Sequence, residues 1–327
     1  MENTTVTRIP GVRVGQAVSR AELTGCTVLL LDAPGTTAFD ARGGWPGTFD
    51  TESVGLTKTY YRKQAIFLTG GDVFGLKCAF GIQKFLLERR LASARAEGRL
   101  PGVVGANIYD MDLARGVEKV DYEALGYQAC ASAISDPVRE GNEGAGLGAT
   151  VGKLKGVGHA MKGGVGSSVV RLADGTLVGA LIVTNAVGNV FDGRGTTIAG
   201  TRRRGNRGPF FEVEELAANP PTEGHTSRTK ATTIGAVVTN LELSHEATAK
   251  VAEMAHDGLA RCIRPVHTPT DGDALFCVST GEVKARKIDH EKLALVGHMA
   301  SVVVQESVIR AVLAARSLAG VPSVRGR

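Results

Sequence analysis

The stretch "CTVLLLDA" (26–33) is apolar almost without a break. A strand with one wet face alternates polar and apolar residues, so a continuous run reads as a strand buried on both sides. "QAIFLTGG" (64–71), "VVGANIYD" (103–110), "GTLVGALIVTN" (175–185), "ATTIGAVVTN" (231–240) and "ALFCVSTG" (274–281) read as further strands. Helical spacing of apolar residues predicts a helix from Phe74 to about Ala96, stopped at Gly98, and another over "DYEALGYQACASAI" (121–134). Ser244 is a good N-cap, with Glu246 in the first turn, and Ala247, Val251, Met254, Ala255, Leu259 and Cys262 follow helical spacing. A long amphipathic helix is expected from about His290 to Leu318. Hairpins interleaved with helices fit an α/β or α+β protein, with helices covering one or two sheets. No internal repeat is visible.

Composition narrows the packing. Glycines number 43 while aromatic residues make up 5% of the 327 residues. Tight turns and close backbone approaches, filled by Ala, Val and Leu, are therefore expected. Lys and Arg exceed Asp and Glu by 38 − 33 = 5, too small and dispersed an excess to argue for nucleic acid. Cys26, Cys78, Cys130, Cys262 and Cys277 are odd in number and widely separated, which suggests neither a disulfide framework nor a zinc site. The N-terminus lacks a basic segment followed by an apolar one, and no stretch approaches about 18 uninterrupted apolar residues. No membrane association and a cytoplasmic location are the expectations.

Two segments invite a ligand and do not hold it on sequence grounds. The Gly-rich "GLGATVGKL" (146–154) looks like a phosphate loop but has Leu154 where Ser or Thr is needed. A hairpin with bulges, or backbone approaching a substrate, fits it better. Residues 199–229 read as an exposed loop, with Arg202–Arg204 a solvated surface or subunit contact.

Chemistry centres on "KATTIGAVVTN" (230–240), where a doubled threonine opens a strand. Read alone, that is an ordinary strand start. A threonine hydroxyl becomes a nucleophile when a base takes its proton, and a chain's own α-amine, of pKa about 8, is such a base. Exposing it requires cutting the bond before the threonine, which the hydroxyl itself can do by an N→O acyl shift. Asp271-Gly272-Asp273 presents two carboxylates at the start of a strand and lacks further oxygen ligands at calcium-loop spacing. His267 lies four residues before Asp271, and with Thr232 and an Asp it would imitate a triad, although nothing in the sequence fixes that geometry.

Taken together, "GGDVFGL" (70–76), "NIYD" (107–110), "GATVGKLKG" (148–156), "VTNAVGNV" (183–190), "ATTIGAVVTN" (231–240) and "HTPTDGD" (267–273) resemble the L-aminopeptidase/D-esterase family of DmpA type. That family includes β-peptidyl aminopeptidases and the nylon-oligomer (6-aminohexanoate-oligomer) hydrolase, whose Asp-Gly-Asp form this chain is most similar to. The resemblance spans about Ile9 to Ala315. It implies one hydrolase domain over 1–327 with a four-layer α/β/β/α sandwich, as in DmpA and the ornithine acetyltransferases. It also implies self-cleavage between Ala231 and Thr232 into an α chain, 1–231, and a β chain, 232–327. By the same resemblance Thr232 is the nucleophile, Asp271 and Asp273 assist it, Asn185 donates to the oxyanion, Tyr109 lines the pocket and Lys153 lies near the nucleophile. It implies no cofactor and no metal, hydrolysis of short peptides, aminoacyl amides or ω-amino-acid oligomers, and a tetramer of αβ units. The family often has Asn or Gly before the nucleophile; this chain has Ala231. The alternatives are an acyltransferase of the ornithine acetyltransferase kind and an uncleaved, inactive homologue.

Overall fold

The computed structural model describes residues 2–91, 93–95, 98–203, 210–218, 230–284 and 288–326. The principal strands are β1 (Val12–Ser19), β2 (Thr24–Ala41), β3 (Thr48–Phe49), β4 (Arg62–Thr69), β5 (Val103–Asn107), β6 (Gly164–Arg171), β7 (Leu177–Asn185), β8 (Thr232–Leu241) and β9 (Ala274–Val283). They hydrogen-bond in the order β6-β7-β8-β9-β2-β4-β5-β3, with β1 on β2. The 18-residue β2 joins two halves. Its first half pairs with β1 and β4, its last residues pair with β9, and the ladder slips between Leu30 and Gly35. At that slip β2 passes from one sheet to the other.

Alternation along the strands builds the layers. Ile234, Ala236 and Val238 of β8 enter one core with Leu29, Leu31, Ile66, Leu68, Val104 and Phe276, between the two sheets. Val237 and Leu241 face the other way, onto α3 (His245–Cys262) and α4 (His290–Ala314). On the far side Val28, Leu30, Ala65 and Phe67 pack against α1 (Cys78–Glu88) and α2 (Tyr122–Ala131). The result is the expected four-layer α/β/β/α sandwich, with every central strand buried on both faces. Each fully buried Val, Leu or Phe contributes roughly 1.5–3 kcal/mol, so these three cores hold the fold.

Local signals place the helices. Ser244 Oγ accepts from Ala247 N, Asp121 caps α2 through Ala124 N and Asp289 caps α4 through Lys292 N. Although α4 is long and apolar enough to cross a membrane by length and composition, one face of it is buried in the protein here. Val296, Ala300, Val304, Val308 and Val312 are buried in the packing of α3, α4 and their sheet. The glycine content is used for close approach. A Cβ on Gly166 would lie 2.1 Å from the Ser307 carbonyl of α4.

Three expectations change. The helix expected over 74–96 is a short 3-10 turn, Asp72–Lys77, followed by α1, which ends at Glu88. Arg90 adopts a left-handed conformation, φ +55°, and Leu91 N returns to Leu86 O, closing the helix without a glycine. The chain then forms a small hairpin, Ser93–Arg95 with Gly98–Leu100. The last helix stops at Ala314, short of Leu318. Arg202 and Arg203 are internal ties, to the Ala160 and Gly158 carbonyls and to Glu215, while Arg204 and most of the 199–229 loop lie outside the described residues. The Gly-rich segment forms the hairpin Thr150–Val151 with Met161–Lys162 and leads into β6; only a 3-10 turn, Val157–His159, and no α-helix follows Lys153 within that hairpin. All five cysteines are buried and unpaired.

The contact at Gly166 gives a direct test of the helix–sheet packing. Gly166→Ala is expected to cost about 1–3 kcal/mol or more in urea unfolding, because backbone must move to admit one methyl. Gly158→Ala, where nothing lies within 4 Å of the added Cβ, should change stability by under about 0.5 kcal/mol.

Candidate active site

Register brings the candidate residues together. On the antiparallel pair β7–β8, Asn185 sits opposite Thr232 and Val183 opposite Ile234. Val183 and Ile234 belong to the inter-sheet core, so Asn185 and Thr232 share that face at the end of the sandwich. There a cavity of about 300 Å³ opens, lined by Trp45, Gly47, Asp72, Asn107, Tyr109 and Lys230 beside Ala231 and Thr232. β9 runs parallel to β8, with Ala274 paired to Ile234. Asp271-Gly272-Asp273 therefore arrives alongside Ala231–Thr233.

The Ala231–Thr232 peptide is the focus. Thr232 Oγ1 donates to the Ala231 carbonyl oxygen at 2.6 Å, and Gly272 N donates to the same oxygen at 2.9 Å. The hydroxyl thus lies against the carbonyl of the preceding residue, and that oxygen also has a backbone donor. A Cβ on Gly272 would fall 2.8 Å from Thr232 Oγ1 and 2.8 Å from the Trp45 carbonyl, so only glycine fits without a shift. Thr233 projects to the opposite face; its N–H donates to Asp273 Oδ1 at 2.7 Å, and its own hydroxyl is buried without a partner.

The two carboxylates have different environments. Asp273 Oδ2 accepts from both the backbone N and Nδ1 of His267, at 3.0 and 2.9 Å. His267 reaches both by adopting a left-handed conformation, φ +57°, unusual for a residue with a side chain. It therefore orients Asp273, not Thr232, and packs edge-on against His256. The triad with Thr232 does not form. Asp271 Oδ2 accepts from Thr268 N at 2.8 Å. Burial, and secondarily the neighbouring Asp273, push its carboxyl up to about 6.

Lys153 and Asn185 form a buried pair on the other side. Lys153 Nζ donates to Asn185 Oδ1 at 2.9 Å and to the Lys230 carbonyl at 3.4 Å, and pairs with Asp112 at 3.2 Å. Burial lowers its pKa, and Asp112 opposes that shift. Because Asn185 Oδ1 also accepts from Thr150 N at 3.0 Å, the amide orientation is fixed by its partners. Its Nδ2 donates to the Tyr109 carbonyl at 2.8 Å. The structure thus brings Thr232, Asp271, Asp273, Asn185, Lys153 and Tyr109 to one place. It puts Gly272 N, not Asn185, on the Ala231 oxygen.

Sequence reasoning missed Trp45, Asp72, Asn107, Asp112, Lys230 and the Gly272 N–H. A backbone donor leaves no mark in a sequence beyond a glycine between two aspartates. Asn107 and Asp72 stood inside the "NIYD" and "GGDVFGL" motifs but carried no spacing signal of their own. Among the described residues no group of three or more His, Cys, Asp or Glu side chains is placed to hold a metal.

The chain as a whole is similar to several known proteins. An uncharacterized aminopeptidase of Mycobacterium leprae is 34% identical over 98% of this chain and 93% of its own length. A 6-aminohexanoate-oligomer endohydrolase of an Agromyces species is 36% identical over 84% of this chain and 74% of its own. Among solved structures, a Burkholderia beta-aminopeptidase superposes with a TM-score of 0.73 at 21% identity, covering 99% of this chain and 91% of that one. The L-aminopeptidase D-Ala-esterase/amidase of Ochrobactrum anthropi, described as a variant of the Ntn hydrolase fold, superposes with a TM-score of 0.73 at 21% identity, covering 98% of this chain and 88% of that one. These two likenesses establish the fold. The model of Peptidase family S58 matches residues 4–325, and the chain belongs to that family.

Proposed function

We propose that this chain is an amide hydrolase that cuts itself between Ala231 and Thr232 and then uses Thr232 as an N-terminal nucleophile. The observation that carries this reading is the Ala231 carbonyl oxygen, held by Thr232 Oγ1 on one side and Gly272 N on the other. In the uncut chain Oγ1 attacks the Ala231 carbonyl carbon, while Gly272 N–H stabilises the oxygen that gains charge. The hydroxyl proton passes to the Asp271 carboxylate and then to the Thr232 nitrogen as the C–N bond breaks. The product is an ester of Ala231 on Oγ1 with a free α-amine, and water then cleaves the ester.

The mature site repeats the chemistry on a substrate amide. The α-amine takes the hydroxyl proton, Oγ1 attacks, and the resulting α-ammonium protonates the departing amine. Asp271 and Asp273 hold the α-amine. Gly272 N–H and the Asn185 amide stabilise the oxyanion, and Lys153 fixes the Asn185 amide through Oδ1. Water releases the acyl group. No metal or cofactor enters this scheme. Short peptides, aminoacyl amides and ω-amino-acid oligomers are the proposed substrates. A cytoplasmic tetramer of cut αβ units is the proposed working form.

Substitution at the doubled threonine separates the two hydroxyls. Thr232→Ala is expected to remove amide hydrolysis by a factor of about a thousand or more, with no cut, because the nucleophile is gone. Thr233→Ala should still cut and turn over, since only its backbone N–H contacts Asp273. Assays against aminoacyl anilides and 6-aminohexanoate oligomers read both. Acyl transfer to ornithine without hydrolysis would contradict the proposal.

The pH dependence of self-cleavage tests the role of Asp271. Below a pKa of about 6 the carboxyl is protonated and accepts no proton, so the rate should fall about tenfold per pH unit as pH drops. Above it the rate should level off. Thr232 has no α-amine before the cut, so this limb belongs to the carboxylate. Freshly synthesised chain quenched into a pH series and followed by denaturing electrophoresis measures it. Asp271→Asn should be slow and lose the limb.

A further inference from the structure

The cavity beside the Ala231–Thr232 bond already contains a cation. Lys230 Nζ lies 4.5 Å from the Trp45 ring centroid and 5.0 Å from that of Tyr109, within cation–π range of both. Both rings, Lys230, Ala231 and Thr232 line the same cavity. Two acceptors line it as well. Asp72 Oδ1 accepts from Asn107 Nδ2 at 3.1 Å, and among the described residues Asp72 makes no ion pair. Asn107 is 3% exposed, and its Oδ1 is buried with no hydrogen-bond partner. That oxygen faces Gly47, another lining residue, where an added Cβ would lie 2.2 Å from it. A buried amide oxygen without a donor is costly.

We propose that Trp45, Tyr109, Asp72 and Asn107 form a seat for a primary ammonium on the acyl part of the substrate, and that Lys230 fills this seat in the uncut chain. The proposal rests on the hydrolase reading for its order of events. The first acyl group that Thr232 meets is its own, and the residue on that side of Ala231 is Lys230. The chain is then its own first substrate, and its lysine marks where a substrate cation goes. That cation is carried many bonds from the carbonyl, on the end of a flexible aliphatic arm. The seat therefore selects an acyl group with a distal ammonium over one with an uncharged end. Lys230 uses the rings, and among the described residues the Asp72 carboxylate is left without an ion pair, so a substrate ammonium has the stronger partner available. Until the cut releases residue 230, the cation site is blocked from within.

Trp45 is the only tryptophan in the chain, so its fluorescence reports the seat without any turnover. The probes are 6-aminohexanamide and its uncharged analogue hexanamide. Thr232→Ala keeps Lys230 in place; Thr232→Ala with Lys230→Ala empties the seat. The double variant is expected to give a saturable response to 6-aminohexanamide and none to hexanamide, and the single variant to bind at least about tenfold more weakly. Equal responses to the two amides, or equal affinity in the two variants, would overturn the proposal. A second measurement uses the wild-type protein. The ratio of kcat/KM for a 6-aminohexanoyl anilide over a hexanoyl anilide should exceed about ten and fall severalfold in Asp72→Asn. A ratio near one in the wild type would also overturn the seat. If neither anilide is cut, the hydrolase reading fails, and the fluorescence comparison still decides the seat.

Discussion

The register of β8 between β7 and β9 is the constraint on which the site depends. Antiparallel pairing puts Asn185 opposite Thr232, and parallel pairing puts Asp271-Gly272-Asp273 beside Ala231–Thr233. A slip of one residue would turn Thr232 toward the helices and bring Thr233 to the cavity. The slip is opposed by both cores. Ile234, Ala236 and Val238 fill the inter-sheet space, while Val237 and Leu241 fill the helix side. Hydrophobic packing along the strand thus decides which threonine hydroxyl faces the cavity.

Within that frame the polar groups hold one another. Lys153 is fully buried, a position that is tolerable only with several partners. Asp112, Asn185 Oδ1 and the Lys230 carbonyl supply them. Asn185 in turn ties β7 to the Tyr109 carbonyl. On the other side Asp273 is held twice by His267 and once by Thr233 N, which leaves Asp271 as the carboxyl whose charge burial disfavours. One aspartate is structural in its bonding and the other is poised to exchange a proton near neutral pH.

Much of this was legible in the sequence. Continuous apolar runs gave the buried strands, because burial on both faces leaves no room for alternation. Ser244 announced its helix by capping. The resemblance carried by the motifs brought Thr232, Asn185, Lys153, Asp271, Asp273 and Tyr109 forward, and the fold gathers them. What stayed hidden has physical reasons. The end of α1 depends on a left-handed Arg90, which no glycine signalled. The Gly272 donor is backbone. Trp45, Asp72 and Asn107 share a cavity with Lys230 only through tertiary folding, from segments far apart in the chain. No sequence signal set the partner of His267, and tertiary folding gives it Asp273.

The central claim concerns one bond. Denaturing mass spectrometry with N-terminal sequencing of the purified wild-type protein tests it most directly. The account predicts two fragments, the lighter beginning Thr232-Thr233-Ile234. A single chain of 34.1 kDa after prolonged incubation near neutral pH would contradict it.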